Sequence, residues 1–171
     1  MNRLATASAL ALFTFAPLAG CATLLGQAGA QAEPQGPVSL SPEESVVLSE
    51  TNLIRKAHGL TVLLADARLV AVARARSRDM VKRGYLEHQT PEGRSSFMIM
   101  RDHKIAFNAA GENLGQALSK AAEAPREVVA GWAKAPAQRL NLLAEGFTRV
   151  GIGAIRTADG KSVVVTEIFA D

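Results

Sequence analysis

The sequence predicts an α+β fold, namely an α/β/α sandwich with a small antiparallel sheet between two helical layers. Three observations predict it. Several segments in the first four fifths of the chain carry apolar residues at helical spacing. Two β-rich runs near the end of the chain flank an Asp-Gly turn, which is typical of an antiparallel hairpin. Both faces of these runs are apolar, and such a sheet needs a layer of structure on each side.

The composition is that of a globular chain with a sizeable core. Of its 171 residues, 48% are hydrophobic and 20% are charged, which excludes an extended disordered chain. The formal net charge of +3 is small for a surface that binds phosphates, so nucleic acid is not a predicted partner. The single cysteine, Cys21, excludes a disulfide framework and a Cys-based structural zinc site.

Residues 1–20 are predicted to be a signal peptide, because Arg3 precedes a short apolar run that ends in small residues. The run is shorter than the roughly 20 residues that span a bilayer as a helix. Leu18-Ala19-Gly20-Cys21 resembles a bacterial lipobox, in which Cys21 becomes the lipidated first residue and anchors the protein to the membrane. Alternatively, Ala28-Gly29-Ala30 fits an ordinary cleavage site that would release a soluble chain.

The lipidated cysteine and a flexible tether are predicted over residues 21–40, which are rich in Gly, Ala, Gln, Pro and Ser. The folded domain is predicted over residues 41–171. Lipoproteins with alanine after the cysteine, as Ala22 here, resemble those sent to the outer membrane of Gram-negative bacteria. The predicted location is therefore the cell envelope, on the outer membrane facing the periplasm or the exterior. The alternative is a secreted or periplasmic soluble protein.

Two long helices are predicted at the start of the domain. The first begins after Ser41, which is a good N-cap and forms a capping box with Glu44, and it stops at Gly59. The second runs from about Asp66 to Arg83. Its predicted apolar stripe consists of Leu69, Val72, Ala73 and Met80. Its predicted solvated face consists of Arg74, Arg78 and Lys82.

The remaining predicted elements are shorter. A turn over residues 87–93 is followed by an amphipathic segment through Met100 and a strand from Gly111. A helix over 124–134 and the two hairpin strands over 150–156 and 162–169 complete the domain.

Several motifs occur along the domain in a fixed order: Asn52…Arg55…Gly59-Leu60, Asp66, Ala73…Ser77…Asp79-Met80, His88…Pro91-Glu92-Gly93, Ala110-Gly111-Glu112-Asn113-Leu114 and Trp132…Pro136…Arg139…Asn141. This ordered set resembles the CAP superfamily, the cysteine-rich secretory, antigen 5 and pathogenesis-related 1 proteins, and within it the cysteine-poor bacterial branch. The resemblance covers roughly residues 43–170. It implies an α/β/α sandwich, secretion, and a surface cleft that usually holds two histidines and two acidic residues. Some members bind a divalent metal there, and others bind sterols or lipids.

Two of the four cleft positions match the family. His88 corresponds to the first histidine, and Glu112 corresponds to the acid of the Gly-Glu-Asn motif. Ala135 stands where members have Glu or Ser, and Gln138 stands where the second histidine is expected. No histidine follows His103 in the sequence, so the second histidine cannot be recovered by shifting the alignment.

His88 and Glu112 are expected to form a hydrogen-bonded pair in which the carboxylate fixes the imidazole tautomer and raises its basicity. Together with Gln138 and Asn113 they are the predicted ligand-binding residues, and Asn113 is also expected to bond local backbone. A catalytic zinc site normally takes three protein ligands, and an amide oxygen is a poor zinc donor. The replacements at positions 135 and 138 therefore predict no cofactor and no tightly bound Zn²⁺.

The leading hypothesis is a non-enzymatic, lipid-anchored, monomeric CAP-domain protein of the bacterial cell envelope. It would bind a small envelope ligand, a lipid or a cell-wall fragment, in its altered cleft. The first alternative is a hydrolase of peptide or cell-wall bonds with His88 and Glu112 as catalytic residues, although the sequence has no Gly-x-Ser-x-Gly elbow. The second alternative is a scaffold that binds other envelope proteins.

Overall fold

The computed structural model describes residues 38–119 and 122–171. Within these ranges the helices and strands follow in this order: α1 (Pro42–Ala57), β1 (Leu64–Ala65), α2 (Ala67–Arg83), α3 (Ser96–Asp102), β2 (Ala110–Ala117), α4 (Ala124–Lys134), α5 (Pro136–Leu143), β3 (Arg149–Arg156) and β4 (Val163–Ala170). The predicted signal peptide, Cys21 and most of the predicted tether lie outside the described residues. No helix within the described ranges is long and apolar enough to cross a membrane.

The two long helices begin as the sequence predicts. At α1 the Ser41 side chain accepts a hydrogen bond from the Glu44 backbone N–H, and the Glu44 carboxylate accepts one from the Ser41 N–H. This is the predicted capping box. At α2 the Asp66 carboxylate accepts bonds from the backbone N–H groups of Arg68 and Leu69.

The strands of the described chain form one sheet in the order β1-β3-β4-β2. β3 and β4 are the predicted antiparallel hairpin, and β2 pairs antiparallel with the other edge of β4. In addition, the two-residue β1 pairs parallel with β3. Such a short strand has no apolar alternation, so the sequence pattern does not reveal it.

Helices cover both faces of the sheet, and the predicted sandwich is confirmed. On one face, α1, α4 and α5 pack against Val163, Val165 and Phe169. On the other face, α2 and α3 pack against Ile168. Every residue of β4 is buried, as expected for a central strand that is apolar on both sides, and each Å² of apolar surface so removed from water contributes about 25 cal/mol.

The α2 helix lies unusually close to the sheet because two residues of β3 have no side chain. A Cβ atom placed on Gly151 would lie 2.2 Å from the Leu69 carbonyl carbon, and one on Gly153 would lie 2.4 Å from the Ala73 carbonyl carbon. Either contact is a clash with backbone. Glycine is therefore required at both positions to let the helix backbone approach the strand.

The short helix α5 was not expected from the sequence. It begins at Pro136 with no side-chain cap, and only Leu142 among its residues is buried, so its apolar periodicity is weak. Polar contacts hold this segment instead. The buried Arg55 guanidinium of α1 donates hydrogen bonds to the carbonyl oxygens of Leu142, Ala144 and Phe147 at the end of α5 and just beyond it.

Candidate functional site

The structure brings His88 and Glu112 together, although 24 residues separate them in the sequence. His88 lies in the loop between α2 and α3, and Glu112 lies near the start of β2. The His88 Nδ1 atom is 2.7 Å from the Glu112 Oε1 atom, which is hydrogen-bonding distance. The His88 side chain is 63% exposed, whereas the Glu112 side chain is 3% exposed. The imidazole of the pair therefore faces solvent, while the carboxylate that bonds it is buried.

The second carboxylate oxygen of Glu112 is also occupied. Ser96, the first residue of α3, donates a hydrogen bond from its hydroxyl group to Glu112 Oε2. Ser96 is buried with 1% of its surface exposed. Its hydroxyl group therefore supports the carboxylate and does not face solvent as a nucleophile would.

The buried Arg76 side chain holds Ser96 and the loop that carries His88 in place. Arg76 of α2 donates from Nε to the Ser96 hydroxyl oxygen at 3.3 Å, from Nη1 to the Tyr85 hydroxyl oxygen at 2.8 Å and from Nη2 to the Glu87 carbonyl oxygen at 2.6 Å. Tyr85 in turn donates to Asp79 Oδ2 at 2.5 Å. The last of the arginine contacts fixes the backbone one residue before His88.

Arg76, which supports the candidate site, was not predicted from the sequence. The signal that could have found it is its position, because it lies three residues after Ala73 and four before Met80, on the apolar stripe of α2. A charged residue on the apolar stripe of a helix is tolerated in the core only when partners bond its charged group. By contrast, Arg74, predicted to lie on a solvated face, is half-buried and forms an ion pair with Glu44.

The contact with Glu112 sets the proton affinity of His88. This hydrogen bond is the main cause that raises the pKa of His88 above its ordinary value, against the opposing effect of partial burial. Since Nδ1 bonds the carboxylate, the free ring nitrogen is Nε2, which has no partner among the described residues. The site can therefore accept a hydrogen bond at Nε2 when the imidazole is neutral, or donate one when it is protonated.

The predicted residues Asn113 and Gln138 have different positions. Asn113 has no exposed surface, and its side-chain amide donates to the Gln138 carbonyl oxygen at 3.1 Å and accepts from Asn141 at 2.9 Å. The expectation that Asn113 bonds local backbone is wrong, because both partners lie on α5. The Gln138 side chain is half-buried and has no hydrogen-bond partner among the described residues. Asn113 thus ties α5 to β2, next to Glu112.

A shallow depression of about 470 Å³ surrounds His88. It is lined by Tyr85, Glu87, His88, Gln89, Thr90 and Pro91. Of the four predicted ligand-binding residues, only His88 belongs to this lining. A ligand in the depression would therefore meet the exposed imidazole and not the carboxylate behind it.

The donors at the site do not match those of a zinc centre. Among the described residues, no group of three or more His, Cys, Asp or Glu side chains is close enough together to hold a metal ion. Both carboxylate oxygens of Glu112 accept hydrogen bonds from protein donors. With Ala135 and Gln138 in place of further donors, the residues present fall short of the three protein ligands of a catalytic zinc site.

The fold and the site together define a class: an α/β/α sandwich that carries a loop histidine on a strand glutamate at its surface. Residues 48–169 match the CAP family, the cysteine-rich secretory protein family. The protein belongs to this family, which confirms the resemblance noted in the sequence.

Three relatives illustrate the membership. The protein YkwD of Bacillus subtilis is 36% identical over 121 residues, which cover 71% of this chain and 46% of YkwD. An extracellular protein containing a SCP domain from Bacillus anthracis is 26% identical, with a TM-score of 0.65, over 78% of this chain and 45% of that one. An outer surface protein from Borrelia burgdorferi has a TM-score of 0.69 at 19% identity, over 78% of this chain and 96% of that one. This chain therefore spans about half the length of its two Bacillus relatives.

Proposed function

We propose that this protein is a lipid-anchored member of the CAP family in the bacterial cell envelope, and that it binds a small polar envelope ligand at His88 without catalysing a reaction. The observation that carries the proposal is the unequal exposure of the His88–Glu112 pair, 63% against 3%. The histidine is the group that the pair offers to a ligand. The carboxylate is its buried support.

The chemistry of His88 defines the kind of ligand. Because the pKa of His88 is raised, a larger fraction of the imidazole is protonated near neutral pH than for an ordinary histidine. A protonated Nε2–H favours a ligand that carries an anionic or strongly accepting group, such as the carboxylate of a cell-wall peptide or the phosphate of a lipid headgroup. The Tyr85 and Pro91 side chains of the depression add apolar contact beside that group.

A hydrolase is the second candidate, and one observation favours it. The 2.7 Å contact between the imidazole and the carboxylate resembles the base and orienting acid of a catalytic triad. The pair lacks an exposed nucleophile, because the hydroxyl bonded to it within the described chain belongs to the buried Ser96. A hydrolase would therefore need a water molecule, and not a side chain, as the nucleophile that attacks the substrate. We rank the hydrolase second for that reason.

The test is a titration followed by NMR of the backbone amides and of the imidazole signals. The two probes are a soluble disaccharide-peptide fragment of the cell wall and a short-chain phosphatidylglycerol. We expect one of them to shift the signals of His88 and residues 85–91, and His88→Ala to abolish the effect. His103→Ala is the matched control, because His103 is exposed, lies at the end of α3, and is absent from the depression.

Two outcomes would contradict this proposal. Saturable binding that persists in His88→Ala would place the ligand elsewhere. Release of a cleaved product from the cell-wall fragment, lost in both His88→Ala and Glu112→Gln, would establish the hydrolase instead.

The location in the envelope is part of the same proposal. It is supported by the lipobox-like sequence that ends at Cys21 and by the Bacillus anthracis relative, which is an extracellular protein. In this proposal the membrane is a partner through the lipid anchor alone, and the domain is monomeric.

A further inference from the structure

A groove runs along the outer face of α1, away from His88. One wall is α1 from Ser45 to Lys56, the other is the extended segment 62–65, which ends in β1, and Leu40 also lines the groove. Its volume is about 520 Å³. None of its lining residues belongs to the depression around His88, so the groove is separate from the candidate site.

Two large apolar side chains at this groove are exposed, one on each wall. Leu53 of α1 is 60% exposed, and Leu64 of β1 is 68% exposed. The half-buried side chains of Leu48 and Val62 line the same groove. Single exposed apolar residues are ordinary, whereas a group of them along one groove is typical of a surface that contacts a partner.

The sheet has an open edge at this groove, because β1 is an edge strand. On the inner side of β1, the Leu64 N–H donates to the Thr148 carbonyl oxygen. The Asp66 N–H donates to the Val150 carbonyl oxygen in the same way. Since the backbone groups of successive residues in a strand face opposite edges, the N–H and C=O groups of Ala65 face away from β3. Outward backbone groups of this kind are a template for pairing with another chain.

Asn52 of α1 already bonds the same edge two residues earlier. Its side-chain amide donates to the Leu63 carbonyl oxygen at 3.1 Å and accepts from the Leu63 N–H at 2.8 Å. An antiparallel strand makes this same pair of bonds with one residue of its neighbour. The Asn52 amide therefore takes the place of a partner strand at Leu63, and Ala65 is the next residue with the same outward orientation.

The charge of the groove gives its partner a direction. Among the described residues that line it, Lys56 is the ionisable one, and it is exposed at the last turn of α1. The segment beside α1 runs opposite to the helix, because Arg55 bonds the Thr61 carbonyl oxygen whereas Asn52, earlier in the helix, bonds Leu63. A chain that ends with its carboxylate at Lys56 therefore runs antiparallel to β1.

The length of the groove limits the partner to a short segment. The residues from Ser45 to Lys56 span about 16 Å of helix at roughly 1.5 Å per residue, which is the length of about five residues of an extended chain. We infer that the groove binds the carboxyl-terminal segment of a partner protein as an extended strand antiparallel to β1. Backbone bonds to Ala65 hold the segment, its apolar side chains pack on Leu53 and Leu64, and its terminal carboxylate contacts Lys56.

The experiment uses the acetylated pentapeptide Val-Ser-Leu-Ser-Val, with a free carboxyl terminus, as the probe. The protein is the full chain with Cys21→Ser, which prevents the predicted lipidation. We expect saturable one-to-one binding by calorimetry. Amide hydrogen exchange followed by NMR is the second readout. Exchange at the Ala65 amide should slow about tenfold or more at saturation, because a bonded N–H is protected.

Two pairs of variants test the contacts. Leu53→Asp should weaken binding about tenfold or more, whereas Leu140→Asp, at an exposed leucine of α5 outside the groove, should bind as the parent does. Ala65→Pro removes the outward N–H, and proline is tolerated on an edge strand, so this variant should also bind weakly. Ala67→Pro is its control, because proline is favoured at the first position of a helix. Circular dichroism spectra verify that each variant is folded.

Three modified peptides test the backbone bonds and the carboxylate. N-methylation of the central leucine and N-methylation of the serine after it should differ, because only alternate N–H groups of an extended peptide face β1. One of the two peptides should lose binding, and the other should keep it. Amidation of the carboxyl terminus should weaken binding several-fold in the parent and have a smaller effect in Lys56→Gln.

Several results would overturn the inference. They are the lack of saturable binding, an unchanged affinity in folded Leu53→Asp or Ala65→Pro, and equal binding of the two N-methylated peptides. A dimer that Leu53→Asp dissociates would also contradict it, because a second copy of the chain would then cover the groove. His88→Ala should leave peptide binding intact, so this inference and the proposed function at His88 fail independently.

Discussion

At the scale of single residues, buried ionisable side chains distinguish this domain from a simple apolar sandwich. Arg55, Arg76 and Glu167 are each at most 1% exposed, and Glu112 is 7% exposed. Burying an ion without partners is costly, and both arginines accordingly donate to protein oxygens. Arg55 stabilises the end of α5, whereas Arg76 stabilises the loop and the serine that support the His88–Glu112 pair.

Removing the charge of Glu112 should change the titration of its partner. In Glu112→Gln we expect the pKa of His88 to fall toward the ordinary value of 6.5, because the hydrogen bond to the carboxylate is the main cause of the raised pKa. The imidazole proton signals followed by NMR against pH measure this change. An unchanged pKa of His88 would show that the contact does not persist in solution.

Glu167 on β4 is a buried carboxyl group with an unpaired oxygen. Its Oε1 atom accepts a hydrogen bond from the Thr51 hydroxyl at 2.9 Å, while its Oε2 atom has no partner. Burial raises the pKa of Glu167 from 4.5 to about 8, although the hydrogen bond from Thr51 and the charge of Arg55 act in the opposite direction. The side chain is therefore mainly protonated at neutral pH.

This carboxyl group makes stability depend on pH. Between pH 4.5 and about 8, the folded protein holds a proton that the unfolded chain has released, so the free energy of unfolding contributed by Glu167 falls as the pH rises. A tenfold difference in acid dissociation constant corresponds to about 1.4 kcal/mol. We expect Glu167→Gln to stabilise the protein at pH 8 relative to wild type and to have a much smaller effect at pH 4.5. Urea unfolding at both values measures the difference, and equal effects at the two values would contradict it.

At the scale of elements, strong local signals could be predicted from sequence and weak ones could not. The capping box at Ser41, the apolar stripe of α2 and the Asp-Gly turn of the hairpin each specify their element through nearby residues. The β1 strand and α5 depend on tertiary contacts instead. β1 exists because it pairs with β3, and α5 is held by Arg55 and Asn113 from other elements.

The end of α3 carries a strained backbone. Lys104 adopts a φ of 54°, in the left-handed region, which costs a residue with a Cβ atom about 1–2 kcal/mol. We expect Lys104→Gly to stabilise the domain by up to about 1 kcal/mol, because part of the relief is offset by the greater freedom of glycine in the unfolded chain. Thermal unfolding measures the change, with Lys104→Ala as the control that removes the charge and keeps the strain. Equal stabilisation by both variants would show that the lysine charge is the cause.

At the scale of the whole molecule, the candidate site combines residues from α2, the loop after it, α3 and β2. The sequence predicted the pair at its centre, because the resemblance to the family placed His88 and Glu112 in one cleft. It did not predict the role of Arg76, nor that the Ser96 hydroxyl supports Glu112, because these contacts arise only when α2 and α3 pack on the same face of the sheet. It also could not show that Asn113 is enclosed beneath α5.

The proposed attachment of the protein to the envelope through Cys21 can be tested with one substitution. Cys21→Ser removes the thiol that a lipid would modify and should move the protein from the membrane fraction to the soluble fraction. Fractionation followed by mass spectrometry of the mature N-terminus measures the change. The intact mass distinguishes cleavage before a lipidated Cys21 from cleavage after Ala30. A variant that stays in the membrane fraction would show that the anchor is not Cys21.

The two glycines of β3 have a consequence for how the domain can diversify. Gly151 and Gly153 leave no space for a methyl group between β3 and the backbone of α2, so the separation of helix and strand is fixed at its minimum. At this spacing Arg76 of α2 donates a hydrogen bond to Ser96, which in turn donates one to Glu112. A substitution that moved α2 would therefore disturb the contacts from Arg76 to Ser96 and to the Glu87 backbone beside His88. Two residues without side chains thus help to position a site that neither of them lines.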